Sequence, residues 1–194
     1  MRVRDFERTL AALSPWTESD LDQRSRRLRD ARMLPQGGRG PNAPHVAPGH
    51  VATMLIGLGA SEKAVNAVAA VTTYAPMVRR DADAPAWDDT TFGARLEELL
   101  SSYEAAATVA SIVVYQTRPQ ADINLTDGST ETYRPADAPS QGYGAGAFVA
   151  VTFMPSLLTQ LAHDLTEAND ADDMAMRGGW VADLPGGLPK PPTP

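Results

Sequence analysis

Apolar positions recur at spacings of three and four through the first part of the chain. Phe6, Leu10 and Leu13 predict a short helix over residues 5–13. Ser14-Pro15-Trp16 stops it, because proline disfavours a helical residue before it. Thr17 suits an N-cap, with the acidic Asp20 three residues on, and predicts a second helix to about residue 32, ahead of Pro35 and a Gly-rich loop at 37–41. Pro48 opens a third helix to residue 58, with Val51, Met54, Leu55 and Leu58 on one stripe. The Ala- and Val-rich segment 61–74 predicts a fourth, stopped before Pro76. A fifth spans 92–107, with Leu96, Leu99, Leu100 and Tyr103 inward.

The period then changes. Residues 108–117 are rich in Val and Ile and predict a strand. Ala121, Ile123 and Leu125 alternate with polar neighbours, Asp127-Gly128 marks a hairpin turn, and 129–134 returns as its second strand. Residues 145–153 are almost wholly apolar, the pattern of a central strand covered on both faces. Pro155 opens a last helix to about residue 168, with Leu157, Leu158, Leu161 and Leu165 inward. From residue 169 the chain turns acidic, then Pro- and Gly-rich, the composition of a disordered tail.

These elements predict an α+β protein in two parts. Residues 1–76 are expected to form an all-α winged helix-turn-helix domain. A short helix, the three-residue turn 14–16 and a longer Arg-rich helix have the order of a helix-turn-helix, and the Gly-rich loop that of a wing. Residues 77–90 are expected to form an acidic linker. Residues 91–168 form a small α+β domain with a three- or four-stranded antiparallel sheet, and 169–194 the tail.

Charge sharpens the picture of the first part. Residues 1–50 hold nine Arg against six acids, whereas the remainder is acidic enough to bring the chain to a net −7. Six of those arginines, Arg24, Arg26, Arg27, Arg29, Arg32 and Arg39, crowd into one short run. A basic helical module on an acidic protein points to nucleic acid at that end. On a helical wheel Leu21, Leu28 and Ala31 form the packed stripe of the second helix, with Ser25 nearby. Ser19, Gln23, Arg26, Arg27 and Asp30 fall opposite, and Arg24 flanks the stripe. Ser19, Gln23, Arg24, Arg26 and Arg27 are therefore candidates to contact base edges or nearby phosphates, since Arg pairs bidentately with guanine and Gln with adenine. Arg39, in Gly37-Gly38-Arg39-Gly40, is the candidate for a wing gripping the backbone or entering the minor groove. Asp22 and Asp30 interrupt the basic surface.

The run from Leu28 through Leu34-Pro35 and Gly37-Gly38-Arg39-Gly40, then Ala43-Pro44-His45 and an apolar helix near Pro48, resembles the N-terminal domain of small regulators carried by alphaproteobacterial prophages and gene-transfer-agent systems. The resemblance covers roughly residues 5–75. It implies a winged helix-turn-helix that binds double-stranded promoter or operator DNA, with the second helix and Arg39 at the duplex.

The rest of the chain narrows the alternatives. It has no Cys, so disulfides and thiolate metal sites are excluded. His45, His50 and His163 lack metal-ligand spacing. Gly142-Tyr143-Gly144-Ala145-Gly146 precedes a strand rather than a helix, which removes the dipole a nucleotide loop needs. No nucleophile–base set or cofactor motif emerges, so no enzyme, cofactor or metal is expected. No apolar run approaches membrane-spanning length, and the charged start has no apolar stretch behind it; the cytoplasm is the expected location, without a membrane partner.

A homodimer is expected, because one module makes few phosphate contacts and two half-sites multiply affinity. The C-terminal part could supply that dimer contact, sense an effector, or bind RNA polymerase or another protein. The leading expectation is a sequence-specific transcriptional regulator of phage or prophage type. The alternative is a DNA-recognition subunit of phage packaging, similar to a small terminase.

Overall fold

The computed structural model describes residues 2–36, 45–80, 90–138 and 148–179, the last eleven through their backbone alone. Among them the chain forms seven α-helices and one five-stranded antiparallel sheet, a mixed α+β architecture. The helices are α1 (Val3–Leu13), α2 (Glu18–Asp30), α3 (Pro48–Gly59), α4 (Ala67–Tyr74), α5 (Phe92–Leu99), α6 (Tyr103–Ala107) and α7 (Pro155–Gly179). The strands are β1 (Val78–Arg79), β2 (Val109–Tyr115), β3 (Gln120–Leu125), β4 (Thr130–Arg134) and β5 (Ala150–Phe153), in sheet order β1-β4-β3-β2-β5. No helix among the described residues is long and apolar enough to cross a membrane.

Helix α3 is apolar almost all round, and a helix of that composition must be covered on every side. It is: Val51, Ala52 and Met54 through Gly59 are all buried. Its neighbours are α2 and α4 on one hand and α5, β2 and β5 on the other. Gly59 permits the closest approach, since a Cβ there would stand 2.9 Å from Cε2 of Phe153 and 3.1 Å from Cβ of Val114. The expected boundary at 77–90 therefore does not separate two cores. One cluster of buried apolar side chains runs from Phe6 to Leu165, and Val78–Arg79 within the expected linker is strand β1.

The sheet follows the predicted alternation. Cross-strand pairing sets Phe153, Ile112, Ile123 and Glu131 in one row. All four are buried, as are Val114, Ala121 and Tyr133 in the next row. The β3–β4 turn has Gly128 at φ +90°, the left-handed position that a glycine takes without strain. Asp127 accepts hydrogen bonds at Oδ1 from both the N–H and the hydroxyl of Ser129, closing the same turn.

The structure departs from the sequence pattern in four places. The segment 92–107 is two helices, because Ser102 leaves the helix and caps α6 by accepting from Ala105 N–H at 3.0 Å. The segment 61–74 begins irregularly, passes through a single 3-10 turn (Ala64–Asn66) and becomes α4 only at Ala67, because Ser61 bonds elsewhere. Strand β5 lies at the sheet edge rather than its centre; an apolar run reads alike for a strand flanked by two others and for an edge strand with an apolar border. Helix α7 continues to Gly179, past residue 168 where the leucine spacing ends.

Candidate nucleic-acid interface

Helix α2 begins as predicted. The Thr17 hydroxyl accepts from Asp20 N–H at 3.2 Å, and Glu18 and Asp20 complement the helix dipole in the first turn. The helix ends in two nested bonds: Met33 N–H donates to Leu28 O and Arg32 N–H to Arg29 O, each at 2.8 Å. This Schellman geometry requires a left-handed residue, and Arg32 fills it at φ +60°. Leu21, Ser25 and Leu28 are buried against the rest of the molecule as the helical wheel requires, but Ala31, expected in the same stripe, is exposed because the helix ends there.

Ser19, Gln23, Arg26 and Arg27 share the one exposed face of α2. Arg26 remains 69 % exposed although it pairs with Asp22 at 2.6 Å, and Arg29 approaches the same carboxylate at 3.9 Å. Arg27 has no ion-pair partner among the described residues.

Arg24 does not belong to this face. It is 1 % exposed and turned into the molecule, which corrects its assignment as a DNA contact. Its guanidinium donates to Asp20 Oδ2 at 3.0 Å, Gly57 O at 2.9 Å, Ser61 O at 3.1 Å, Ser61 Oγ at 2.6 Å and Glu62 O at 2.8 Å. The planar fork of Arg matches such a set of acceptors where a Lys could not. The charge also lies at the C-terminal end of α3, where the helix dipole favours a cation.

This clamp has a consequence for the surface. By holding Ser61 and Glu62 against α2, Arg24 delivers Lys63 to the exposed face. Gln23, Arg26, Arg27 and Asp30 line a groove together with Lys63 and Val65. Lys63 falls in the expected fourth helix, and nothing in the sequence pattern places it beside α2, because only the buried contact of Arg24 with Ser61 and Glu62 brings it there. A second groove, on the other side of α2, adds Arg4 and Arg8 from α1 beside Ser19, Asp22 and Arg29. The two grooves together hold the cations Arg4, Arg8, Arg26, Arg27, Arg29 and Lys63 against the carboxylates Glu7, Glu18, Asp22 and Asp30. The balance is positive but not overwhelming. Arg39 and the rest of the Gly-rich loop at 37–44 lie outside the described residues.

A second polar centre sits between α5 and the sheet. Arg95 grips Glu131 bidentately, Nε to Oε2 and Nη2 to Oε1, both at 3.0 Å. Tyr133 donates to Glu131 Oε2 at 2.9 Å, and Arg95 also reaches Glu98 at 2.8 Å. Burial, and then the Glu131 charge, hold the Tyr133 phenol protonated well beyond its ordinary range. Both Glu131 oxygens already accept bonds from within the fold, so the centre reads as a tie between α5 and β4.

No family model, no curated protein and no solved structure matches this chain.

Proposed function

We propose that this protein is a sequence-specific DNA-binding regulator of transcription, of phage or prophage type, with α2 as its reading helix. The observation that carries the proposal is the grouping of Ser19, Gln23, Arg26 and Arg27 on the only open face of α2, with Lys63 beside them. A protruding helix face fits the major groove, and Arg and Gln there match the donor and acceptor pattern of guanine and adenine edges. The order of α1, a short connection and a cation-bearing α2 supports a helix-turn-helix, and the 28–40 resemblance to prophage regulators supports a wing at 37–40. In this reading Arg39 holds the DNA backbone, and Arg4, Arg8 and Lys63 flank the reading helix as phosphate contacts. The protein acts as a homodimer on two half-sites.

A fluorescence-anisotropy titration of a labelled mixed-sequence duplex tests the interface. Wild type should bind at low salt, with affinity falling steeply as salt rises. Arg26→Glu with Arg27→Glu should abolish binding while circular dichroism stays unchanged, because both side chains are exposed. Binding retained by the double variant overturns α2 as the reading helix.

A further inference from the structure

The two edges of the sheet have opposite characters. β1 is two residues long and basic, Val78-Arg79 followed by Arg80, and Thr91 bridges to Val78. Short, charged and covered edges refuse further strands. β5 carries no such guard among the described residues. No charged residue occurs from 145 to 154, and Val149 and Met154 at its two ends are 56 % and 57 % exposed. Gln116 N–H donates to Val149 O at 2.8 Å, so inward bonding to β2 continues through Val151 and Phe153. Antiparallel alternation then directs the N–H and C=O of Ala150 and Thr152 outward. No strand among the described residues pairs on that side. Beside it Leu13, Pro15, Trp16, Phe153, Met154 and Leu157 line a groove of about 470 Å³.

We propose that β5 is the pairing edge of a homodimer, with the β5 strands of two copies antiparallel about a twofold axis and their sheets joined into one. The occupant is a second copy for reasons of charge and symmetry. A twofold pairing sets a segment against itself, so a charge near the axis would oppose its own like. The 145–154 segment has none, in a chain whose net −7 otherwise favours repulsion between two copies. The exposed apolar ends of one strand then have the other copy's groove to fill. Trp16 packs on Phe153 with ring centroids 5.9 Å apart, one residue before the Thr17 cap of α2. Pairing therefore brings the starts of two α2 helices toward one axis. The edge stands on its own geometry; its use for two half-sites rests on the DNA-binding reading.

Light scattering on the full chain tests this. Wild type at micromolar concentration should have twice the 20.7 kDa chain mass. Thr152→Pro removes an outward N–H that bonds no strand among the described residues, and proline is tolerated in an edge strand at such a position. It should halve the mass and leave the circular dichroism and melting of the monomer intact. Ala150→Lys, which puts a charge from each copy into an otherwise uncharged seam without touching the backbone, should do the same. Because the chain has no Cys, single cysteines placed from 149 to 154 should crosslink two copies only near the twofold axis. A monomeric wild type, a ring of more than two copies, or a dimer that survives both substitutions overturns the proposal. Failure of the DNA reading is distinguished by the Arg26/Arg27 variants, which leave β5 untouched and should remain dimeric.

Discussion

Two arginines of α2 that look alike in sequence do opposite things. Arg26 points to solvent and pairs with Asp22; Arg24, two positions earlier, is sunk beneath Gly57, Ser61 and Glu62. Helical spacing placed Arg24 correctly at the margin of the apolar stripe. It did not show that the next segment would offer carbonyls in place of water. Arg24→Met should therefore destabilise the fold by about 3 kcal/mol in urea denaturation, because it strands buried acceptors. A cost under about 1 kcal/mol would mean that the clamp contributes little. Arg32 carries the opposite expectation. It occupies a left-handed position at the helix end that favours glycine, so Arg32→Gly should stabilise by about 1 kcal/mol, read as a higher urea midpoint. An unchanged or lower midpoint would show that its side chain offsets the backbone cost.

At the scale of elements, α3 ties the molecule together, and its N-terminus has a pH-sensitive cap. Ala47 N–H donates to His50 Nδ1 at 3.0 Å, which requires a neutral imidazole. Burial lowers the His50 pKa below its ordinary 6.5, although the Glu97 charge pulls the other way. The unfolded chain then takes up this proton first as pH falls. The stabilising contribution is complete above 6.5 and is lost as pH drops through the lower folded value. The urea midpoint of wild type should decline on going from about pH 8 to about pH 5, and His50→Gln, which keeps an acceptor without titrating, should decline less. Equal declines would remove His50 from the account. The helix and strand types were legible from periodicity where an element buries one face, as α1, α2 and β3 do, and from composition in α3, which is covered all round. What periodicity could not show was the break at Ser102, the recruitment of Ser61 by Arg24, and the edge position of β5. The last two depend on partners distant in sequence; the first turns on a local Ser102 cap that apolar spacing passes over.

Across the whole molecule, the sequence suggests a DNA-binding half and a separate α+β half, whereas the buried cluster runs through both. The misleading signal was compositional: the acidic, Pro-containing stretch at 77–90 resembles a linker, yet Val78–Arg79 pairs with β4 and α3 packs on α5. Thermal unfolding should accordingly show one cooperative transition by circular dichroism and by Trp fluorescence alike. Two separated transitions would restore independent domains. A shared core also fixes the exposed face of α2 rigidly relative to the sheet, the arrangement that two copies need to present two helices at a set spacing.

The central claim is that the open face of α2 reads DNA sequence. Its most direct test is to sequence the genomic fragments retained by the full chain and by the Arg26→Glu, Arg27→Glu variant. Wild type should enrich a small set of fragments sharing one motif, and the variant should enrich none. Wild-type fragments no different from the input, or the same motif recovered by the variant, would contradict it.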